Sequence, residues 1–521
     1  MNVMEAIKTS FSGLVARLGG GTLKARCARS SVILGVGVFS AKVLGFASKV
    51  ILARLLVPQE MGLMVMILSL TALFDVLTEI GVKQSVIQHE NGADLEYLNM
   101  AWWFQSLRAV GLYMIAFILA PWLCEFYFRS KPEVLTRYSM VEITNLVRVA
   151  FLTIFFNGFV SPKAYVLEKM FRFGKAVLIT QGSFFLGYVV IIVLAFMIRN
   201  VWAIVIGFAS TGLIKCALSH AICPFRPKFA YHRESFQGLY RFARGMFGLP
   251  ILAYIAFNID VLVAGKMVST YLVGLYGMAL TLAISPWDFF TGIISPVLLP
   301  AFSEKQGDKA ALCKGALKIT KYMGLLVISP MALAMICGST ILTIYGEEYS
   351  AIAVPFGLLC VYVVLLIQGT IFTSLFFGIG QPSKNRAFAV VRCLVLILLI
   401  YPGIRFFGLT GAAAVILLAS FIAISMQLVV IRKAIGLNIF DYVISWLPGI
   451  IMAIPVLIIV VVVRVLNPQY PIAHLAVGAM SCIVICLSGL FLLRHFERQS
   501  RHLPGSAVSA GFAGKEDTQR A

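Results

Sequence analysis

The chain has 521 residues, of which 60% are hydrophobic and only 12% are charged, and its mean hydropathy is +0.94. A water-soluble fold cannot bury that much apolar surface, so lipid must solvate a large part of the chain. The formal net charge of +21 does not indicate nucleic-acid binding, because the basic residues lie in short segments between apolar runs, as they do in proteins oriented in a membrane.

Fourteen apolar runs follow one another along the chain, and most have the roughly 20 residues that a helix needs to cross a bilayer. None alternates polar and apolar residues as a barrel strand does. The runs cover residues 30–55, 61–87, 101–123, 138–160, 175–198, 201–222, 245–265, 273–300, 321–345, 351–379, 386–404, 409–431, 442–464 and 473–493. The sequence therefore predicts an all-α polytopic membrane protein with about 14 transmembrane helices.

The connections between the runs predict the orientation. If the N-terminus is cytoplasmic, so are the even-numbered connections, which carry roughly three times as many Lys and Arg residues as the others, as the positive-inside rule requires. The connection after the eighth run alone contributes Lys305, Lys309, Lys314, Lys318 and Lys321. An even number of helices then places both termini in the cytoplasm.

A weak internal repeat relates two stretches that are about 212 residues apart. Arg54 precedes Gly62 by eight residues, and Lys266 precedes Gly274 by the same spacing. A helix follows each glycine and carries an acid, Asp75 in the first stretch and Asp288 in the second. Transporters are commonly built from such repeats, with the substrate site at the interface between them.

The repeat predicts two six-helix lobes followed by an additional helix pair. The predicted divisions are a basic cytoplasmic N-terminus (1–29), an N-lobe (30–222), a basic cytoplasmic linker (223–244), a C-lobe (245–433), helices 13 and 14 (434–494) and a cytoplasmic tail (495–521).

Several stretches resemble a known family through their order and spacing. They are Ser-Ala-Lys-Val-Leu-Gly at 40–45, Arg-Leu-Leu-Val-Pro at 54–58, the segment 79–88, Glu-Lys-Met-Phe-Arg-Phe at 168–173, Asn-Ile-Asp at 258–260 and Phe-Gly-Ile-Gly-Gln-Pro-Ser-Lys at 377–384. Together they resemble the polysaccharide-transporter branch of the multidrug/oligosaccharidyl-lipid/polysaccharide exporter superfamily, which contains the Wzx-type oligosaccharide flippases.

This resemblance implies two lobes in a V-shape around a central cavity, in the inner membrane of a bacterium. It implies export of an undecaprenyl-pyrophosphate-linked oligosaccharide repeat unit for surface polysaccharide, by alternating access. The implied partners are that lipid-linked oligosaccharide, membrane lipid, and a polysaccharide polymerase with its export machinery. No nucleic acid is expected.

Ionisable residues inside the spans are the candidate site residues, because a charge in the bilayer is costly unless it is paired or hydrated. Lys42, Lys49 and Arg148 are predicted to face a hydrated cavity and attract a pyrophosphate, with Arg244 at its cytoplasmic entrance. Arginine binds phosphate through its bidentate fork and lysine through a mobile point charge. The competing interpretation is internal pairing, for Lys42 with Asp75 or Glu79.

The intramembrane acids add a second possible role, the binding of a coupling ion, beside anion binding by the cations. Asp75, Glu79 and Asp288 are candidate cavity acids, and Asp260 with Asn258 is the candidate coupling site, binding H⁺ or Na⁺. Asp75, Glu79 and Lys83 are expected to form one helical stripe at i, i+4 and i+8. No other cofactor and no bound metal are expected. Arg108, Lys215 and Arg392 lie closer to the predicted helix ends and are interpreted as snorkelling residues.

An enzyme is the main alternative from another class, and the sequence argues against it. No predicted outside loop exceeds about 15 residues, and the chain has no nucleotide-binding loop, nucleophile elbow or His/Cys cluster. Among transporters, a cation-coupled drug antiporter of the same superfamily and a peptidoglycan-precursor flippase remain open. A scaffold or channel fits a repeat with buried charges less well.

Overall fold

The computed structural model describes residues 23–77, 79, 81–170, 172–228, 232–246, 248–466 and 469–502. Within these residues every regular element is a helix and no strand occurs. The predicted all-α class is therefore confirmed. The predicted N-terminal segment before residue 23 and the predicted tail after residue 502 lie outside the described residues.

The helices, in chain order, are α1 Leu23–Leu55, α2 Pro58–Leu77, α3 Val82–Gln88, α4 Leu95–Phe128, α5 Pro132–Leu135, α6 Met140–Gly158, α7 Lys163–Lys169, α8 Phe173–Ile198, α9 Val201–Ile222, α10 Arg233–Met246, α11 Leu249–Met267, α12 Thr270–Ile293, α13 Ser295–Glu304, α14 Lys309–Ile336, α15 Gly338–Leu342, α16 Ala353–Gly378, α17 Pro382–Ile435, α18 Ile439–Leu466 and α19 Pro471–His502. A 3₁₀-helix, Glu347–Ile352, precedes α16.

Twelve of the described helices are long and apolar enough to cross a membrane. One of them, α17, has 54 residues and is a hairpin rather than a single span, because Gly408 interrupts it with φ 58° and ψ −141°. Gln427 Nε2 donates to Asn385 Oδ1 at 3.4 Å across 42 residues, whereas a straight helix of that length would extend about 63 Å. The predicted number of fourteen spans stays a prediction.

The composition of the second apolar run predicted one helix, but the structure has two. Helix α2 ends at Leu77, and Gly81 adopts φ 67° before α3 begins at Val82. Left-handed backbone of this kind suits glycine and cannot continue a right-handed helix. Glu79 therefore lies in the break, where its carboxylate accepts from the Gly81 amide at 3.0 Å. The predicted stripe of Asp75, Glu79 and Lys83 on one helix is wrong.

The helices pack in two groups, which we name by their residues. In the N-lobe (23–222), α1, α8, α9, α6 and α4 pack in succession; in the C-lobe (249–435), α11, α17, α16 and α14 do the same. Helices α18 and α19 pack on α14. The most extensive contact between the lobes joins α2 to α12, and α2 also packs on α11.

The α2–α12 crossing brings two backbones together without side chains between them. A Cβ at Gly62 would overlap the Thr270 carbonyl oxygen, and a Cβ at Gly274 would overlap the Pro58 carbonyl oxygen. Both pairs, Gly62 with Gly274 and Pro58 with Thr270, obey the 212-residue offset. The contact is reciprocal, as expected where two similar elements cross at a pseudo-two-fold axis.

We predict that Gly62→Ala and Gly274→Ala each destabilise the protein by about 1–3 kcal/mol, because the added methyl group must separate the two backbones. Thermal unfolding of the purified protein in detergent measures the effect. Gly111→Ala in α4 is the matched control, since its Cβ would meet nothing within 4 Å. Equal stability of all three variants would contradict the proposed tight crossing.

Candidate functional site

The two lobes are bridged inside the membrane region by an ion pair between α1 and α12. Lys42 Nζ lies 2.9 Å from Asp288 Oδ2, and the two side chains remain 41% and 37% exposed. Beside the pair, the rings of Phe39 and Phe289 are 5.9 Å apart. Because the pair is accessible, its partners can exchange for other ions. The competing interpretation, in which Lys42 pairs with Asp75 or Glu79, is wrong because its partner is Asp288. The predicted role of Lys42 in lining a cavity stays a prediction.

Lys49 continues the same face of α1 towards the end at which α2 begins. It is half-buried, and Asp288 and Lys42 are close enough for their charges to act on it. The Tyr188 ring from α8 packs close to Gly45, between the two lysines in sequence. The structure thus brings Lys42, Lys49 and Asp288 together, and the net charge of these three groups is positive.

The acids of the N-lobe have a different partner. Arg108 Nη2 donates to Asp75 Oδ1 at 2.6 Å and to the Asp75 carbonyl at 2.5 Å, close to the C-terminal end of α2. Arg108 Nη1 is 3.7 Å from Glu79 Oε2, and the arginine side chain is only 16% exposed. The snorkelling interpretation is therefore wrong for Arg108, which joins α4 to α2 within the N-lobe.

Asn258 and Asp260 do not converge on one site. Asp260 is 2% exposed and accepts a hydrogen bond from the Tyr276 hydroxyl at 2.8 Å. Asn258 Nδ2 lies 3.5 Å from the Tyr254 carbonyl oxygen, within its own helix. Side chains two positions apart on a helix diverge by about 200°, so Asn258 and Asp260 have different surroundings. A coupling role for Asp260 stays a prediction.

Arg148 contacts residues of α4 and of its own helix, α6. Its guanidinium carbon lies 4.0 Å from the ring centroid of Phe117 on α4, and its Nη1 donates to Asn145 Oδ1 at 3.4 Å. Phe117 follows Arg108 by nine residues, two and a half helical turns, so it lies on the side of α4 opposite to the Asp75 contact. The contacts that Arg148 makes with described residues therefore lie within the N-lobe, and its predicted role in the cavity stays a prediction.

Arg244, the cation predicted at the cytoplasmic entrance, lies on α10 together with Arg241, and both are exposed. Helix α10 begins in the predicted linker, extends two residues beyond it, and packs against α4 and α3. Its position at the surface is compatible with either an entrance role or ordinary loop charge.

At the end of the spans that the topology predicts to be outside, the lobes exchange cation–carbonyl contacts. Arg54 of the N-lobe donates through Nε to the Ile344 carbonyl of the C-lobe at 2.8 Å. Lys266, its repeat equivalent in the C-lobe, donates to the Phe126 carbonyl of the N-lobe. Phe126 lies in the last turn of α4, where a positive charge is favourable. We name these two contacts the outer latch.

Two further contacts reinforce the outer latch. Lys131, 3% exposed, donates to the Val268 carbonyl, and Glu133 Oε1 accepts from the Thr270 amide at 3.0 Å. Burial lowers the pKa of the Lys131 ammonium, and the Glu133 carboxylate opposes this shift. The sequence alone assigns no partner to any of these cations. The signal for a latch was already present in the equivalence of Arg54 and Lys266.

We predict that Arg108→Ala lowers the free energy of unfolding by about 1.5–3 kcal/mol, the usual value of a hydrogen bond to a charged group. The loss arises because Asp75 keeps its charge without its counter-ion. Adding Asp75→Asn should restore part of it, and a double-mutant cycle by thermal unfolding measures the coupling. Strictly additive effects of the two substitutions would show that the pair contributes nothing.

Comparisons with known proteins agree with this architecture. Over 421 residues the chain is 23% identical to the lipopolysaccharide biosynthesis protein WzxC of Escherichia coli K12, covering 80% of this chain and 83% of that protein. It is 22% identical over 372 residues to the succinoglycan biosynthesis transport protein ExoT of Rhizobium meliloti, covering 70% and 71% respectively.

Among solved structures, the fold is similar to the lipid II flippase MurJ in an inward closed conformation. The TM-score is 0.72 with 14% identity, over 89% of this chain and all of that one. A family model described as polysaccharide biosynthesis protein matches residues 51–354, more than half of the chain. The resemblance to the Wzx-type transporters is confirmed, and the chain belongs to the polysaccharide biosynthesis protein family.

Proposed function

We propose that this protein is a flippase that moves undecaprenyl-pyrophosphate-linked oligosaccharide repeat units across the bacterial inner membrane by alternating access. The product would be an exopolysaccharide, a capsule or an O-antigen. The observation that carries the proposal is the accessible Lys42–Asp288 pair between the lobes. The names of the relatives, which concern lipopolysaccharide and succinoglycan biosynthesis, support the cargo class.

In the proposed mechanism, the pyrophosphate of the cargo takes the place of Asp288 at Lys42. An accessible ion pair is worth only about 0–1 kcal/mol, so exchange of one anion for another costs little. Lys49 offers a second cation further along the same helix face. Once Lys42 binds the cargo, Asp288 no longer connects α1 to α12, and the lobes are free to separate there.

In the proposed mechanism, the outer latch controls the second step, in which the lobes open on the predicted outside and release the cargo. In this structure it joins the lobes at the predicted outside, which suits a state that accepts cargo from the cytoplasm. Release requires the Arg54 and Lys266 contacts to break. Both contacts end on single carbonyl groups, so they can be replaced by water at the membrane surface without leaving a buried charge.

The alternative functions make different use of the same residues. A cation-coupled drug antiporter would use Asp75, Glu79 or Asp260 as its ion ligands, but these acids contact Arg108 or Tyr276 in this structure. A peptidoglycan-precursor flippase would share the pyrophosphate chemistry at Lys42. The polysaccharide relatives favour the first proposal over both.

We predict that substitutions of Lys42 and of Asp288 change the affinity for undecaprenyl pyrophosphate in opposite directions. Lys42→Ala should weaken binding of undecaprenyl pyrophosphate about ten- to hundredfold, because a charge-assisted hydrogen bond is lost. Asp288→Asn should strengthen binding, because the competing anion is removed. Binding to the purified protein in nanodiscs measures both, and surface polysaccharide in a complemented deletion strain measures export.

Lys309→Ala, an exposed lysine at the start of α14, is the matched control and should behave as wild type. The exchange mechanism is wrong if Asp288→Asn weakens binding as much as Lys42→Ala does. A deletion strain with normal polysaccharide and altered drug sensitivity would support the antiporter instead.

We also predict that the outer latch controls opening on the predicted outside. Spin labels at Val57 and Leu272, exposed residues that flank the α2–α12 crossing, report the distance between the lobes in a variant whose ten cysteines are replaced. Combining Arg54→Gln with Lys266→Gln should add a population at longer distance, since each contact loses its charge. An unchanged distance distribution would mean that the latch does not hold the lobes together.

A further inference from the structure

A cavity of about 330 Å³ lies inside the C-lobe, between α11, α12, α16 and the two arms of α17. Its volume is at the lower end of the range of about 300–1,000 Å³ found for small-molecule sites. Three of the polar residues that line it lie near helix ends on the predicted cytoplasmic side: Thr373 near the end of α16, and Asn385 and Gln427 near the two ends of α17. The cavity therefore occupies the half of the membrane region that the cargo would enter first.

Two aromatic rings form one wall of this cavity. Phe257 and Trp287 lie with their centroids 5.2 Å apart and their planes inclined by 31°. Trp287 Nε1 donates to Thr370 Oγ1 at 3.0 Å, which fixes the orientation of the indole. The guanidinium of Arg392 lies 5.2 Å from the centroid of Phe257. The result is an apolar surface with a polar rim.

The polar groups of the cavity are incompletely satisfied within the described residues. Gln427 is only 6% exposed, and its Oε1 has no hydrogen-bond partner there. Asn385 Oδ1 accepts from Thr373 Oγ1 at 3.0 Å and from Gln427 Nε2 at 3.4 Å. Arg392 donates to the Tyr362 hydroxyl and the Ala256 carbonyl, while its buried Nε is unpartnered. Orphaned buried groups of this kind need a ligand or ordered water.

This combination of groups selects one class of ligand. Among the described lining residues there is no carboxylate, so a cation would find no charged ligand. An acyl chain would leave the amide and guanidinium groups unsatisfied. A pyranose ring has an apolar C–H face that can pack on an aromatic surface. Its hydroxyl groups can donate to an amide oxygen such as Gln427 Oε1 and accept from a guanidinium N–H such as that of Arg392 Nε.

The cavity also lies next to the ion pair that is proposed to receive the pyrophosphate. Trp287 and Asp288 are consecutive on α12, so their side chains diverge by about 100°. Asp288 points to Lys42 on α1, and Trp287 points to the interior of the C-lobe. We propose that this cavity binds the sugar residue attached directly to the pyrophosphate, and so discriminates glycosylated cargo from the bare lipid carrier. This inference rests on the proposed flippase function.

The test compares two probes with the full-length protein in nanodiscs. One is undecaprenyl pyrophosphate, and the other is the lipid-linked repeat unit extracted from cells of the source bacterium that lack the polymerase. Wild type should bind the repeat unit more tightly. Trp287→Leu and Gln427→Leu should each weaken repeat-unit binding about tenfold, a loss of about 1.4 kcal/mol, and change undecaprenyl pyrophosphate binding less than twofold.

Two variants control for a general loss of structure. Trp287→Phe keeps an aromatic face and should retain most of the discrimination, while Gln88→Leu removes an exposed amide outside the cavity and should have no effect. Equal binding of both probes by wild type, or equal losses for both probes in the cavity variants, overturns the sugar site and leaves the flippase proposal intact. If wild type binds neither probe, the proposed function itself fails, and the inference with it.

Discussion

The architecture depends on the contact between two backbones at Gly62 and Gly274. Without side chains between them, α2 and α12 approach closely enough for carbonyl groups of one helix to lie against the α-carbons of the other. Helices in lipid gain little from the hydrophobic effect and associate through such close packing. In this structure the crossing sets the closest approach of the two lobes at the predicted outside. The outer latch around it adds polar contacts that can exchange with water.

The charges inside the membrane region follow a second constraint, that none can remain in lipid without compensation. Asp75 and Glu79 contact Arg108, Asp260 accepts from Tyr276, and Asp288 pairs with Lys42. The first contacts lie within a single lobe and stabilise it. The last joins the two lobes and is accessible, which distinguishes it from the others as a candidate for ligand exchange.

The sequence predicted those features that depend on local composition or on the repeat. Apolar runs are sufficient to locate spanning helices. The 212-residue offset marks Gly62 and Gly274 as equivalent positions, and these two glycines are in contact in the structure. The break at Gly81 was missed because the apolar run continues through it, and only a backbone angle reveals it. The partners of Lys42 and Arg108 were missed as well, since pairing across helices depends on how α1, α4 and α12 are arranged in space, not on spacing along the chain.

The bridge between Lys42 and Asp288 has a consequence for the empty carrier. In the proposed flippase cycle, the protein would reset after cargo release with no anion from outside, and an isolated ammonium group at Lys42 would raise the barrier to that return step. In that cycle Asp288 would return to Lys42 and neutralise it, as it does in this structure. In such a flippase, the Asp288 carboxylate would replace the pyrophosphate of the substrate when no substrate is bound. The same attraction between an anion and the Lys42 ammonium would then stabilise the empty conformation and recognise the substrate.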